Sequence, residues 1–276
     1  MIKFMRMTEY SAETNLKDAD VLVIDGANGT RKITAKDLAI ALSGKVSVEQ
    51  RRNVYRGKKL GNAVTDAQKA AIINGTFDDI FVGDYWSIGG VNYRVADMDY
   101  FYNCGDTNFT KHHLVLVPDT TLYSAKMNDE NITTGGYVGS KMYTEYLAAA
   151  KETIKAAFGD AVLTHRDYLI NAVTDGHPSG GAWFDSEVEL MNEIMVYGSH
   201  IYTPSGNGSM TVTRYTTGKQ QFALFALNPK MVNRRSWYWL RDVVSSTGFA
   251  GVVNGGSSNC NNASLSSGVR PYFIIG

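Results

Sequence analysis

Five histidines and two cysteines carry the widest chemical repertoire in this 276-residue chain, and their spacing decides what they could do. His112 and His113 are adjacent in a segment that reads as a strand, so they point to opposite faces and cannot easily share one ion. His165, His177 and His200 are dispersed, and no HExxH, CxxC or EF-hand spacing occurs. The run His165, Arg166, Asp167 matches a kinase catalytic loop in letters only. No Asn follows at the required spacing, and neither a glycine-rich loop nor DFG accompanies it. Cys104 or Cys260 would need His112 or His165 as a base for nucleophilic work, and no local pattern pairs them. The acids Asp78 and Asp79, and Asp97 with Asp99, lack a glycosidase context and read as solvated loop carboxylates. The expectation is a protein that is not an enzyme and has no cofactor.

Bulk properties narrow the class further. Lys and Arg number 27 and Asp and Glu 27, a formal net charge of zero, which argues against a dominant nucleic-acid role because phosphate neutralisation needs a basic surplus. Apolar residues at 44% and charged residues at 20% suit a globular chain with a sizeable core. The first residues contain no apolar signal core, and no run approaches 18 apolar residues. Synthesis in the cytoplasm without a signal peptide, and no membrane insertion, are expected. Two cysteines are too few for a disulfide framework, and two separate buried thiols are expected. The 16 Tyr, with abundant Gly, Ser and Asn, suit a contact surface.

The elements that would position these residues fall into three stretches. Residues 1–44 read as a small module: a strand over 21–24, turns at Asp25-Gly26 and Asn28-Gly29, then a helix capped by Thr34, supported by Asp37 and stopped by Gly44. Such a piece buries little alone and is expected to pack on a partner or a copy of itself. Residues 45–61, with Arg51, Arg52, Arg56, Lys58 and Lys59, read as a solvated basic linker. A compact domain over 62–276 follows. Its first helix has a Thr65/Gln68 capping box and ends at Asn74-Gly75. A hairpin turns at Gly89-Gly90, and a strand closes at Pro118. A long helix runs from Ser140 to Gly159, and a second starts at Asp185 or Ser186, with Glu189 completing a capping box, and ends at Gly198. Two strands are expected around Thr217-Gly218, one with Met210, Val212 and Arg214, the other with Phe222, Leu224 and Leu227. The grouping of strands and helices, without regular βαβ units, predicts an α+β fold.

At the carboxyl end, Trp237 and Trp239 are expected to share one face of a strand, with Tyr238 opposed. Residues 255–262 are almost all small and polar, yet apolar runs bracket them, and residues 269–275 read as a returning core strand. This predicts a loop or frayed strand pinned at both ends by a rigid sheet, the usual setting for recognition.

The pattern "WYWLRD…FAGVVNGG…GVRPYFIIG" resembles the carboxyl end of C-type-lectin-like domains of phage and gut-bacterial proteins, related to formylglycine-generating enzymes and to diversified phage tropism proteins. Residues 55–102 resemble prophage structural proteins of Firmicutes carrying the same terminal domain. The leader "LKDADVLVIDGANGTRKITAKDLAIAL" is similar to the attachment module of tail and head fibres, which are often trimers. The resemblance implies framework roles for Trp239, Arg241, Arg270 and Pro271. It implies ligand contacts at Trp237, Tyr238, Asn254, Ser257, Ser258, Asn259, Asn261 and Asn262. It further implies a virion protein attached through residues 1–44, homotrimeric, and recognising a bacterial surface glycan or protein. A purely structural or capsid-decorating protein, and an enzyme acting on cell wall or sulfatase-like protein, remain as alternatives. Formylglycine-generating enzymes use closely spaced cysteines near their carboxyl end, whereas only Cys260 stands there in this chain. Some C-type lectins use calcium, but no acidic cluster here is specific enough to assign it.

Overall fold

The computed structural model describes residues 17, 21–26, 29–35, 38, 47–203 and 220–276, and the chain divides into two compact units, 1–47 and 48–276. In the first unit, β1 (Val21–Gly26) and β2 (Gly29–Thr34) form one antiparallel hairpin, with Val21 opposite Thr34 and Gly26 opposite Gly29. Asp25, expected in a turn, pairs with Thr30 inside the ladder. Ala35 and Leu38 are helical, and the rest of the helix expected there lies outside the described residues.

The second unit begins inside the stretch expected as a linker. Residues 48–61 contain α1 (Val48–Arg52) and β3 (Lys59–Gly61), and Arg51, Arg52, Arg56 and Lys58 meet carboxylates, while Lys59 is exposed. Arg51 is buried and donates to the Phe77 carbonyl. Arg52 donates through Nε and Nη2 to the two oxygens of Asp97, at 2.5 and 3.0 Å, and Asp97 is wholly buried. Arg56 reaches both Asp84 and Asp79, and its guanidinium lies 4.4 Å from the Phe81 ring centroid. The linker reading is therefore corrected. Four of its basic residues, Arg51, Arg52, Arg56 and Lys58, are counter-ions of Asp78, Asp97 and Asp79, acids that read as solvated loop carboxylates.

Helix α2 (Asp66–Ile73) has both halves of its capping box: Gln68 N donates to Thr65 Oγ1 and Thr65 N to Gln68 Oε1. Strands β4 (Tyr85–Ile88) and β5 (Val91–Met98) flank Gly89 and Gly90, both at positive φ, as expected. Next come β6 (Leu114–Pro118), β7 (Tyr123–Ala125), one π turn at Met142–Tyr146, and α3 (Leu147–Phe158) ending at Gly159.

Then β8 (His165–Thr174) and β9 (His177–Ser186) form a ten-residue hairpin. Its turn residues Asp175 and Gly176 both have positive φ, 52° and 76°, the signature of a twist-compatible hairpin turn. This pairing overrides the helix expected from residue 185. Asp185 and Ser186 pair with Arg166 and His165, β10 (Val188–Leu190) follows, and only then does α4 (Glu193–Tyr197) start, capped by Asn192 and closed by Gly198. The strand expected around Phe222 and Leu224 is instead the helix α5 (Ala223–Leu227), and its predicted partner around Met210, Val212 and Arg214 lies outside the described residues. The chain closes with β11 (Tyr238–Val243), β12 (Gly248–Val252), β13 (Ser258–Asn262), β14 (Ser267–Val269) and β15 (Pro271–Ile275).

The strands assemble as a six-stranded sheet, β10-β15-β6-β5-β4-β3, a five-stranded sheet, β13-β12-β11-β14-β7, and the separate β8–β9 hairpin. The unit is a mixed α+β fold. Both large sheets bury two faces. Phe273 and Ile275 of β15 join one apolar cluster and Tyr272 and Ile274 the other, while Trp239 and Tyr238 of β11 divide the same way. Alternating residues entering two cores make the terminal strands continuously apolar rather than striped.

The Arg52–Asp97 contact yields a test. Arg52→Ala leaves a wholly buried carboxylate without its counter-ion, so it is expected to lower unfolding free energy by about 3 kcal/mol in urea titrations. Adding Asp97→Asn to that variant should recover part of the loss.

Candidate functional site

The residues around the carboxyl-terminal hairpin are held by two buried charge networks. In the first, Arg241 of β11 donates to Asp167 of β8 through Nη1 at 2.5 Å and Nη2 at 3.2 Å, and the Tyr272 hydroxyl of β15 donates to Asp167 Oδ2 at 2.5 Å. Burial works against the Asp167 charge, but Arg241 beside it holds the carboxyl below its ordinary range. Glu189 lies close by and accepts from the Tyr137 hydroxyl at 2.7 Å. Burial pushes its carboxyl up to about 7, against the pull of Tyr137 and Arg241. Burial also lowers His165 to about 4, leaving a neutral ring beside the pair.

The second network centres on Glu193, which is fully buried at the first turn of α4. Its carboxylate accepts from the main-chain N–H groups of Ile201, Tyr202 and Thr203, from Thr203 Oγ1 and from Ser258 Oγ. Burial opposes its charge, and these donors overcome that and hold it below the usual carboxylate range. One carboxylate thus ties the 201–203 loop to the start of β13.

Arg270 is wholly buried, and among the described residues no carboxylate pairs with it. Its Nε donates to the Pro118 carbonyl at 2.9 Å and its Nη1 to the Tyr238 hydroxyl at 3.2 Å, and the guanidinium lies over the Phe225 and Tyr238 rings. Pro271 is buried, and Trp239 is buried in the other core, where its Nε1 donates to the Ala125 carbonyl at 2.9 Å.

The stretch over 255–262, expected as a loop or frayed strand, is the turn and second strand of a hairpin. Residues 253–257 turn between β12 and β13, and β13 is an edge strand. Val253 N donates to Ser257 O and Ala263 N to Thr247 O, so odd-numbered residues face β12 with their main chain and even-numbered ones point off the edge. The outward N–H groups of Cys260 and Asn262 donate to Asn259 Oδ1 at 2.8 Å and Asn261 Oδ1 at 3.1 Å. These asparagines occupy main-chain groups that an added strand would need.

The eight expected contact residues therefore separate. Tyr238 is fully buried and offers a ligand no surface, so that assignment is corrected: its ring supports Arg270 and its hydroxyl donates to the Val232 carbonyl. Ser258 is engaged by Glu193, and Asn259 and Asn261 by the edge of their own strand. Trp237 and Trp239 do not share a face. Trp239 is in the core, while Trp237 precedes the strand and is 37% exposed. Because Tyr238 pairs with Val252, the register puts Trp237 opposite Val253, the first residue of the 253–257 turn, in which Asn254 and Ser257 are exposed. Asn262 is exposed at the far end of β13.

Cys104 is half-buried and Cys260 exposed, so the expectation of two buried thiols fails for Cys260, and both are free. Cys104 shares a cavity of about 490 Å³ with Asp99, Tyr102 and His112. His112 Nδ1 lies 2.8 Å from Asp99 Oδ2, and its ring stacks on Tyr102. Burial pushes the Cys104 thiol up, away from the thiolate that nucleophilic work requires. Among the described residues, no group of three or more His, Cys, Asp or Glu side chains is placed to hold a metal ion.

No family model matches the chain, and no curated protein and no solved structure matches it.

Glu189 gives a pH-dependent prediction. The folded chain keeps its proton up to about pH 7, whereas the unfolded chain releases it near the ordinary 4.5, so its stabilisation is complete below pH 4.5 and is lost as pH rises to 7. His113 and His165, held neutral down to about 4, act oppositely and lose stability as pH falls below 6.5. Glu189→Gln removes only the first effect. Relative to the parent, it is expected to gain roughly 3 kcal/mol between pH 4.5 and 7.5 in urea unfolding.

The edge strand gives another. Asn259→Ala with Asn261→Ala uncovers the Cys260 and Asn262 N–H groups, and concentration-dependent self-association should rise in sedimentation velocity while the monomer's far-UV spectrum is unchanged.

Proposed function

We propose that the chain is a non-enzymatic phage virion protein of the tail- or head-fibre type. Its second unit is a C-type-lectin-like domain that presents a contact surface to a bacterial cell, and residues 1–44 attach it to other virion proteins and to copies of itself as a homotrimer. The observation that carries this reading is the hairpin formed by β12 and β13. Its turn, with exposed Asn254 and Ser257 and with Trp237 opposite its first residue by register, joins β12, buried along its whole length, to the edge strand β13. An aromatic ring next to small hydrogen-bonding side chains, on strands tied into the sheet, is a low-entropy contact surface. The sequence resemblance to phage domains ending in the same Trp-Leu-Arg and Val-Arg-Pro motifs supplies the virion setting. Repetition around a trimer would raise weak single contacts to useful avidity.

The test is binding of the full chain to a panel of bacterial strains, with its mass measured by light scattering. A trimer that binds cells, and loses at least tenfold in binding with Trp237→Ala and with Asn254→Ala plus Ser257→Ala, is expected. Cell binding untouched by those changes would move recognition off this hairpin. No binding to any strain, with normal incorporation into particles, would favour a structural or decorating role.

A further inference from the structure

The outer face of the β8–β9 hairpin has a chemistry that neither its own fold nor the terminal hairpin requires. His165, Asp167 and Leu169 of β8 turn into the core, so Arg166, Tyr168 and Ile170 turn outward, opposite Asp185, Trp183 and Gly181 of β9. Tyr168 and Trp183 are half-exposed, their centroids are 5.5 Å apart, and their planes meet at 79°. The Tyr168 ring fills the space a Cβ at Gly181 would need, coming within 2.5 Å of it, and its hydroxyl donates to the Gly181 carbonyl at 3.0 Å. One ring lies across the strand and the other stands beside it. The result is a fixed aromatic corner on a surface where a lone hairpin would be expected to carry polar residues.

One residue pair along the same face is an open cavity of about 290 Å³ with a mixed lining: Phe109 and the His165 ring, and beside them Thr107, Asn108, Thr164, Arg166 and Asp185. Arg166 is not free to bind an anion. Its Nε and Nη2 hold both oxygens of Asp106, at 2.7 and 2.8 Å, its Nη1 holds Asp185 Oδ1 at 2.9 Å, and Nη2 also reaches the Trp183 carbonyl. Asp185 is held by one oxygen only, and its side chain is 74% exposed. His165 forms the floor. It is 1% exposed, and its Nδ1 has only a loose main-chain approach from Ser186.

We propose that this face binds an uncharged saccharide chain, with one sugar ring in the cavity and the next against the Tyr168–Trp183 corner. The two carboxylates outnumber the one guanidinium, so phosphate and sulfate are repelled. Hydroxyl and amide side chains beside an Asp carboxylate match vicinal sugar hydroxyls, and aromatic faces match the C–H faces of a pyranose. The cavity is at the lower end of the roughly 300–1,000 Å³ range of small-molecule sites, which suits a single ring. Neighbouring same-face positions on a strand are about 7 Å apart, so the corner is within reach of the next ring. The terminal hairpin is a separate surface, and this site goes beyond the recognition assigned there.

The experiment applies fluorescently labelled full chain to an array of purified bacterial surface polysaccharides, neutral and acidic, alongside the strain panel. Binding to neutral glycans is expected to fall at least tenfold with Trp183→Ala and with Asp185→Asn, and to be unchanged by Asn254→Ala plus Ser257→Ala. Asp185 is a surface side chain, so its variant keeps the test valid if Trp183→Ala unfolds. The proposal is overturned if no neutral glycan is bound, if only phosphate- or sulfate-bearing glycans are bound, or if both folded variants bind as the parent does. Strain binding without neutral-glycan binding would leave cell recognition standing and remove this site. Glycan binding without strain binding would do the reverse.

Discussion

Arg241 and Asp167 meet where three sheets meet. Arg241 belongs to the five-stranded sheet, Asp167 to the β8–β9 hairpin, and Tyr272, which shares the Asp167 carboxylate, to the six-stranded sheet. Burying a charge is costly unless its partner is close and its remaining lone pairs are filled. Here a two-pronged guanidinium and a phenol fill them. Such a pair has one geometry, whereas an apolar contact at the same place would tolerate sliding. The surrounding groups are kept from adding charge: Glu189 retains its proton to about 7, and His165 stays neutral down to about 4. Between about pH 4 and 7 the junction therefore carries one cation and one anion, although Glu189 and His165 are also within it.

The other buried charges extend this arrangement outward. Arg270 relies on a carbonyl, a phenol and two ring faces rather than a carboxylate, and it fixes Tyr238 at the start of β11. Glu193 gathers main-chain donors from one loop and a hydroxyl from β13. Between them, the strands beneath the 253–257 turn are set in position and orientation. A molecule meeting the turn would therefore find strands already in place beneath it, and ordering is where much of the cost of binding lies.

What could be read from sequence was local chemistry. The Thr65/Gln68 box, the Gly89-Gly90 turn and the Gly159 and Gly198 helix ends depend on residues within a few positions of one another, and each stands where expected. The α+β class follows from the order of such pieces. What failed depended on partners far along the chain. Ser186 and Glu189 spell a capping box, yet Ser186 pairs across a hairpin with His165, and Glu189 turns inward to Tyr137. The Asp175-Gly176 turn that forces this pairing was present as a dipeptide, and its flanks, mixed in polarity because each strand has one core face and one open face, concealed it. The cations of residues 51–58 read as solvated because the acids that take them, Asp79, Asp84 and Asp97, are over twenty positions away. Of the candidate site, the exposure of Asn254 and Ser257 was legible from composition. The burial of Tyr238 was not, because a strand covered on both sides does not alternate in polarity.

Composition was also ambiguous in the Asn-rich strand itself. Small polar residues between apolar runs describe a recognition loop and a guarded sheet edge equally well, since both must avoid burying surface while meeting water. Hydrogen bonding separates them: Asn259 and Asn261 spend their oxygens on the next residue's N–H, which a contact residue would keep for its ligand. The β8–β9 face shows the opposite pattern. Its hairpin is anchored at one end through Asp167 and at the other where Gly176 packs within 2.8 Å of the Ser246 main chain, as measured from the Cβ it lacks. Between those anchors the Tyr168–Trp183 corner stays half-open to solvent, and one pair beyond the Asp167 anchor Asp185 is exposed. A guarded edge spends its polar groups on its own backbone, whereas this face leaves two large rings and a carboxylate oxygen uncommitted to the sheet beneath them.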